Sequence, residues 1–262
     1  MHKKIFALFV IFISVFVLSA CRKKVNNNEK VGVAYGITHS DYIGVATVKV
    51  ENDVVSDASF EEYYLPNTWA KVKTLEVSEV PEDVIVDGTT WYGKYLVIGS
   101  KRFVGALRTE PLVLDGKTYS KQTVRYSSEG INDLFVWLYE SEENRKWYVN
   151  ELEKGNAYVA TSDYSKAGYE TAGMTTSEGK LGFKKSITGY WQGDNYPLGW
   201  KGNMAAIVEV IKGTKVDVSL DDIKKNENNK WVVGNVVSGA TLTDFKDYYK
   251  LAKEAYNKAV SS

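Results

Sequence analysis

A short hydroxyl-bearing loop before the last predicted helix is the part of the sequence best suited to chemistry. It reads Ser-Gly-Ala-Thr at residues 238–241, and Thr243 and Asp244 follow it at the start of a helical pattern. Side-chain oxygens at this place accept hydrogen bonds from the N–H groups that open a helix, so ordinary capping is one interpretation. A helix N-terminus also favours a phosphate, and the small residues Gly239 and Ala240 would let a phosphate approach the backbone.

The stretch NVVSGATLTDFKDYYKLAKEA, residues 235–255, resembles the end of the FMN-binding domain of bacterial respiratory and extracellular redox proteins. Those proteins include covalent-flavin subunits of sodium-pumping NADH:quinone reductase and of the Rnf complex, and flavinylated surface lipoproteins of electron export. The family motif reads Asp-x-x-Ser/Thr-Gly-Ala-Thr/Ser, and its last hydroxyl carries FMN through a phosphoester bond. An extracytoplasmic flavin transferase makes that bond from FAD.

Carried over residue by residue, the resemblance makes Thr241 the acceptor of the FMN phosphate. Ser238, Gly239 and Ala240 match the motif, and Thr243 agrees with its common continuation. Asn235 is the departure, because it stands where the family has an acidic residue. An asparagine keeps the size and one acceptor but loses the charge, so flavin attachment depends on whether the charge is needed.

An aromatic-rich segment, ITGYWQGDNYPLGWKGN at residues 187–203, could supply a flat wall for the flavin ring. Trp191 and Trp200 are the candidate stacking residues, together with Tyr190 and Tyr196. Asn203 is a candidate to bond the polar edge of the ring. Packing of the same aromatic residues in the core is the alternative interpretation.

The N-terminus has the pattern of an export signal. Residues 5–17 form a continuous apolar run that is shorter than a membrane span of about 20 residues. The sequence Leu-Ser-Ala-Cys at residues 18–21 resembles the lipobox of bacterial lipoproteins, which implies an acylated Cys21 as the mature N-terminus. We therefore expect a signal peptide over residues 1–20, a polar tether over 21–30, and a lipid-anchored location on the extracytoplasmic face of the cell membrane.

Composition excludes several kinds of site. Removal of residues 1–20 leaves 31 Lys and Arg against 33 Asp and Glu, a formal charge of −2 that gives no support to nucleic-acid binding. Cys21 is the only cysteine, and His39 is the only histidine of the mature chain. A zinc or iron–sulfur cluster and a Ser-His-Asp triad therefore have no support in the sequence, and we expect an organic cofactor to supply any redox chemistry.

Periodicity predicts an α+β domain over residues 31–262, with a largely antiparallel sheet and helices late in the chain. Residues 31–130 form a β-rich part, in which Asn52-Asp53 and Asp115-Gly116 mark hairpin turns. Helical spacing follows over residues 131–152 and again over 204–211, with Gly155 and Gly213 as their stops. Residues 156–180 are expected to form a loop, residues 230–237 one strand, and residues 245–259 the last helix.

The leading functional hypothesis is a membrane-anchored electron carrier with FMN on Thr241, rather than an enzyme with its own substrate. Its electron donor and acceptor are not specified by the sequence. A non-redox surface lipoprotein that binds a sugar or other small ligand through the aromatic-rich segment is the alternative. A flavin-dependent reductase with a small substrate is a further and weaker possibility.

Overall fold

The computed structural model describes residues 29–190 and 198–262. The predictions for Cys21, Trp191, Tyr196 and the signal peptide therefore lie outside the described residues. Within those ranges the strands are β1 Lys30–Thr38, β2 Tyr42–Glu51, β3 Val54–Tyr64, β4 Lys71–Val72, β5 Val84–Asp87, β6 Thr90–Gly93, β7 Tyr95–Ile98, β8 Lys101–Leu107, β9 Val113–Leu114, β10 Lys117–Thr118, β11 Val124–Ser127, β12 Ala157–Ala160, β13 Lys224–Lys225, β14 Trp231–Val233 and β15 Val236–Val237. The helices are α1 Pro66–Trp69, α2 Leu134–Glu140, α3 Glu142–Glu153, α4 Lys185–Thr188, α5 Gly199–Ile211 and α6 Phe245–Ser261.

The first sheet is an antiparallel meander of β1, β2 and β3. Asn52 and Asp53 form the β2–β3 turn with φ of 52° and 62°, which confirms the predicted hairpin. Both residues tolerate the left-handed conformation better than most, and a two-residue turn of this kind matches the twist of the strands.

Helix α6 packs across this sheet through small residues. A Cβ atom on Gly32 of β1 would lie 1.9 Å from the carbonyl oxygen of Ala255, so only glycine allows the observed approach of helix and strand. Ala252, Ala255 and Ala259 are buried in α6, as the predicted apolar face requires. The close packing fixes the helix that follows the Ser-Gly-Ala-Thr loop.

The remaining strands form smaller antiparallel sheets, in the orders β11-β8-β7-β12, β4-β6-β5, β13-β14-β15 and β10-β9. Buried apolar residues fall into two clusters. One cluster joins α5 and α6 to the first sheet, and the other joins that sheet to α2, α3 and the four-stranded sheet. The predicted α+β class, with a C-terminal helix after the loop, is confirmed.

The segment predicted as a single helix over residues 131–152 is two helices. Ser141 breaks the segment with φ −145° and ψ 147°, and its hydroxyl accepts the N–H of Asn144 to cap α3. A serine at this place offers the backbone an alternative to helix continuation. Gly155, with φ 71°, follows the end of α3 as predicted.

Two other predicted segments also differ in the structure. The loop predicted over residues 156–180 contains β12, which pairs with β7. The single strand predicted over residues 230–237 is instead the β14–β15 hairpin, because Gly234 turns the chain with φ 57°. Short strands of this length have too few residues for alternation to reveal them.

Candidate functional site

The Ser-Gly-Ala-Thr loop follows β15, and hydrogen bonds fix its backbone. Ser238 donates its N–H to the carbonyl of Trp231 at 2.8 Å, and its hydroxyl accepts the N–H of Ala240 at 3.0 Å. Ser238 and Ala240 are each only 1% exposed. The first and third residues of the loop therefore belong to the interior, while Gly239 and Thr241 face outward.

Asn203 of α5 holds the loop at Thr241. Its Oδ1 atom accepts the N–H of Thr241 at 2.7 Å, the N–H of Leu242 at 3.3 Å and the hydroxyl of Thr241 at 3.3 Å. The Asn203 side chain is 3% exposed. One buried carboxamide oxygen thus fixes two successive peptide N–H groups and the side chain of the predicted acceptor.

The orientation of the Asn203 amide follows from its partners. Its Nδ2 group donates to the carbonyl of Gly199 at 2.7 Å, so the nitrogen faces an acceptor while the oxygen faces donors. One turn earlier, the indole N–H of Trp200 donates to Glu62 Oε2 at 2.6 Å. Helix α5 is therefore attached to the first sheet beside the residue that holds the loop.

The far end of the loop is attached to α6 through an aromatic pair. Trp231 donates its indole N–H to the carbonyl of Leu242 at 2.8 Å. Its ring stacks on Phe245, the first residue of α6, with centroids 5.6 Å apart and an interplanar angle of 20°. Thr241 consequently lies between two fixed points, Asn203 on one side and the Trp231–Phe245 pair on the other.

The start of α6 is acidic. Asp244 is the N-cap residue, but its side chain makes no capping bond to the helix. That carboxylate instead pairs with the His39 ring and accepts the Thr243 hydroxyl at 2.9 Å. The hydrogen bond with the His39 side chain lowers the pKa of Asp244. Asp247 accepts the backbone N–H of His39 at 3.1 Å, and burial raises the pKa of Asp247.

These contacts bear on how a phosphate on Thr241 would be held. The N–H groups of Ala240, Thr241 and Leu242 are bound within the protein. Asp244 and Asp247 add negative charge at the helix N-terminus, where a phosphate would otherwise be favoured. Thr241 itself is exposed, but these three N–H groups are already bonded and do not form a cradle for a phosphate.

Gly239 provides space at the loop surface. A Cβ atom built there would meet only Ala206, at an ordinary 3.7 Å, and the φ of Gly239 is not in the left-handed region. The protein alone does not require a glycine at this position. The lack of a side chain at Gly239 leaves room for a ligand or an enzyme to approach the loop.

The other predicted site residues lie at different distances from the loop. Asn235 is exposed in the β14–β15 turn, six residues before Thr241. Trp200 is 4% exposed and bonded to Glu62, so its ring packs in the core in this conformation. Tyr190 contacts the rings of Tyr42 and Tyr64 and shares a 2.9 Å hydroxyl contact with Tyr42.

Asn203 was a candidate to bond the polar edge of the flavin ring, and its contact with the loop was not predicted. Asn203 lies three residues after Trp200 and four before Ile207, so it falls on the apolar stripe of α5. A polar side chain at a core position needs a partner, and that signal could have linked it to a loop backbone.

A cluster around Glu62 and Lys185 was also missed. Glu62 is 0% exposed and pairs with the Lys185 ammonium at 2.8 Å, and it accepts the Thr38 hydroxyl at 2.5 Å. The ammonium lies 3.6 Å from the ring centroid of Tyr42 and 4.2 Å from that of Tyr190. Glu62 and Lys185 are more than a hundred positions apart in the sequence, so no local pattern joins them.

An open cleft of about 430 Å³ lies beside α6. Its walls carry two tyrosine rings, Tyr119 and Tyr139, and charged groups of both signs. The charged residues are Lys117, Arg145, Asp247, Lys250 and Glu254. Arg145 is held by the backbone carbonyls of Tyr35, Leu138 and Tyr139, which makes it part of the framework of the cleft.

The chain matches no family model, no curated protein and no solved structure. Among the residues that the structure describes, no helix has the length and apolar character needed to cross a bilayer. The same part of the chain holds no group of three His, Cys, Asp or Glu side chains arranged for a metal ion.

Proposed function

We propose that the protein is a lipid-anchored, extracytoplasmic electron carrier with FMN phosphoester-linked to Thr241. The FMN supplies the redox chemistry, and the chain supplies the attachment point and the membrane tether. Covalent attachment keeps the cofactor with an exported protein, since noncovalent contacts to a phosphate of about 1–3 kcal/mol each would not retain a flavin in dilute medium.

The observation that carries this proposal is the exposure of Thr241 between two buried residues of a fixed loop. Its neighbours Ala240 and Leu242 are buried, and Asn203 fixes the backbone on both sides of the acceptor. An enzyme acting on Thr241 would therefore meet an exposed threonine on a backbone held by hydrogen bonds. This arrangement agrees with the motif resemblance, in which the same residue is the acceptor.

Intact mass of the protein tests the proposal directly. A Cys21→Ser variant is co-expressed with a flavin transferase in cells that supply FAD. We expect a gain of one FMN less water, and no gain when the transferase is omitted. An unchanged mass in the presence of an active transferase, shown on a known substrate of that enzyme, would contradict covalent attachment.

Gly239→Ala separates a structural role of the loop from a role in attachment. Because the new methyl group meets only Ala206 at 3.7 Å, we expect unfolding free energy to stay the same or rise by about 0.4–1 kcal/mol. Flavin attachment should slow by about a hundredfold, the usual effect of a 1 Å misplacement in a reacting pair. Denaturant unfolding and the time course of mass gain measure the two effects. An attachment rate equal to wild type would show that the missing side chain has no part in the reaction.

Asn235→Asp restores the acidic residue of the motif. The site is an exposed turn, where aspartate is well tolerated, so the fold should be unaffected. We expect flavin loading equal to or better than that of the wild type, measured as the flavin-to-protein absorbance ratio. A clear fall in loading would mean that this chain is adapted to asparagine.

Cys21→Ser tests the anchor. The serine hydroxyl cannot form the thioether link of a lipoprotein, and acyl chains contribute about 0.8 kcal/mol per buried CH₂ group. We expect the variant to leave the membrane fraction and appear in the soluble fraction, as followed by immunoblotting. Retention in the membrane would refute lipid attachment at Cys21.

The cleft beside α6 supports a second candidate function, capture of a small polar ligand by a surface lipoprotein. Tyr119 and Tyr139 offer aromatic faces, and charged groups of both signs surround them within about 430 Å³. Calorimetric titration with neutral sugars and with a dipeptide, on protein free of flavin, measures this activity. Saturable heat that is lost in Tyr139→Ala, with no mass gain from the transferase, would favour this function over the carrier.

A further inference from the structure

We propose that Asn203 is a positioning residue for flavin attachment, which presents the Thr241 hydroxyl to the transferase in one fixed orientation. This inference rests on the proposed function and names the residue of this chain that prepares the acceptor. Its basis is the convergence of three donors on one buried oxygen, rather than the motif, which does not include α5.

The geometry restricts both the backbone and the side chain of Thr241. Its N–H and that of Leu242 bind Asn203 Oδ1 at 2.7 and 3.3 Å, so the two peptide planes flanking the acceptor Cα cannot rotate freely. The hydroxyl contacts the same oxygen at 3.3 Å, a long contact that favours one rotamer of the side chain. Thr241 itself is exposed, so Oγ1 can exchange this weak contact for a bond to a base of the transferase.

That orientation suits the bond that must form. In the transfer, Oγ1 of Thr241 forms a bond to the FMN phosphorus of FAD, the pyrophosphate bond breaks, and AMP leaves. The hydroxyl proton is lost to the transferase or solvent, so the products are the threonine phosphoester, AMP and one proton. An attacking oxygen needs a lone pair directed at phosphorus, and a fixed rotamer removes the cost of finding that geometry.

The support behind Asn203 explains how a single amide can hold the loop. Its Nδ2 group bonds the carbonyl of Gly199 at 2.7 Å, and the adjoining turn of α5 is joined to Glu62 through Trp200. Side chains locked by a second layer of contacts hold a reacting group more accurately than flexible ones. Through these contacts, Asn203 links Thr241 to the first sheet and limits its movement.

Asn67 provides a matched control for a purely structural asparagine. It is also buried, and its amide accepts the N–H of Val124 at 2.8 Å and donates to the carbonyl of Val124 at 2.8 Å. It lies between Leu65 and Trp69, which belong to the other apolar cluster, and its hydrogen bonds go to residues 122–124 rather than to the loop. Loss of either amide removes backbone bonds of comparable strength, but only Asn203 acts on Thr241.

The experiment is steady-state attachment kinetics with purified protein as the varied substrate, a flavin transferase and saturating FAD. We expect Asn203→Ala to lower kcat by about tenfold to a hundredfold with KM within about threefold, because docking surfaces are intact and only the reacting geometry is lost. Asn67→Ala should leave both constants near wild type. Asn203→Asp keeps an acceptor for all three donors, and burial favours its neutral form, whose O–H can donate to the Gly199 carbonyl in place of the amide. This variant should therefore fold and recover at least about a third of the wild-type kcat.

The outcomes separate this inference from the proposed function. Wild-type attachment with kcat of Asn203→Ala unchanged overturns the positioning role alone. Equal losses in Asn203→Ala and Asn67→Ala, in step with their melting temperatures, also overturn it, because a structural effect would then be sufficient. A wild-type protein that gains no flavin overturns both. If Asn203→Ala does not fold, Asn203→Asp decides, and a kcat as low as that of Thr241→Ala refutes the acceptor role of the amide.

Discussion

Thr241→Ala is expected to abolish covalently attached flavin while the protein stays folded. The substitution removes the hydroxyl proposed to carry the phosphoester, so the loss should be complete rather than partial. The lost hydrogen bond to Asn203 is a long one at 3.3 Å on an exposed residue, and it should cost about 1 kcal/mol of unfolding free energy or less. In-gel flavin fluorescence after denaturation measures attachment, and circular dichroism with thermal melting checks the fold.

Two matched variants sharpen this test. Thr241→Ser keeps a hydroxyl at the same place and should retain attachment, at a lower rate because serine lacks the methyl group that restricts the rotamer. Thr243→Ala removes a neighbouring exposed hydroxyl that donates to Asp244 at 2.9 Å, and attachment should be unaffected. Fluorescence in Thr241→Ala equal to wild type would refute the assignment. Loss in Thr243→Ala alone would move the acceptor two residues along the chain.

Local patterns in the sequence predicted the parts of the fold that are locally determined. The apolar face of α6, the Asn52-Asp53 turn and the stop of α5 at Gly213, with φ 75°, all follow from periodicity and turn chemistry. The broken helix around Ser141 shows the limit of periodicity. Two helices in succession can keep a similar apolar spacing, and only the capping bond to Asn144 distinguishes them.

The site shows the same division between local and distant information. The position of the loop could be predicted from sequence because the loop adjoins the helix that it precedes. The contact between Asn203 and Thr241 joins residues that are 38 positions apart, and it depends on how α5 and α6 pack on one sheet. Trp200 illustrates the converse, since its aromatic character suggested a ligand wall and its observed partner is the buried carboxylate of Glu62.

Glu62→Gln is expected to destabilise the protein strongly at neutral pH. The amide keeps the shape of the side chain, and its oxygen can still accept from Trp200 and Lys185 while its NH₂ group faces the Thr38 hydroxyl. What it removes is the negative charge beside a buried ammonium. Breaking a buried ion pair in this way costs about 3–5 kcal/mol, which urea unfolding at pH 7 would measure. A matched surface variant, Glu178→Gln, breaks an exposed pair with Lys180 and should cost less than about 1 kcal/mol.

The loss in Glu62→Gln should also shrink at alkaline pH, and the sign follows from Lys185. Burial lowers the pKa of Lys185, and Glu62 is the main group that raises it again, so the substitution lowers that pKa further. Between the folded pKa and the unfolded value of about 10.4 the unfolded chain binds more protons, so stability rises with pH in that window. Urea unfolding at about pH 9.5 should therefore recover part of the loss in Glu62→Gln, with no such change in Glu178→Gln. If the loss of unfolding free energy in Glu62→Gln is small at pH 7, or is the same at pH 7 and at about pH 9.5, the pair does not hold a charged lysine in the core. The result bears on the site as well, because Trp200 joins this pair to the helix that carries Asn203.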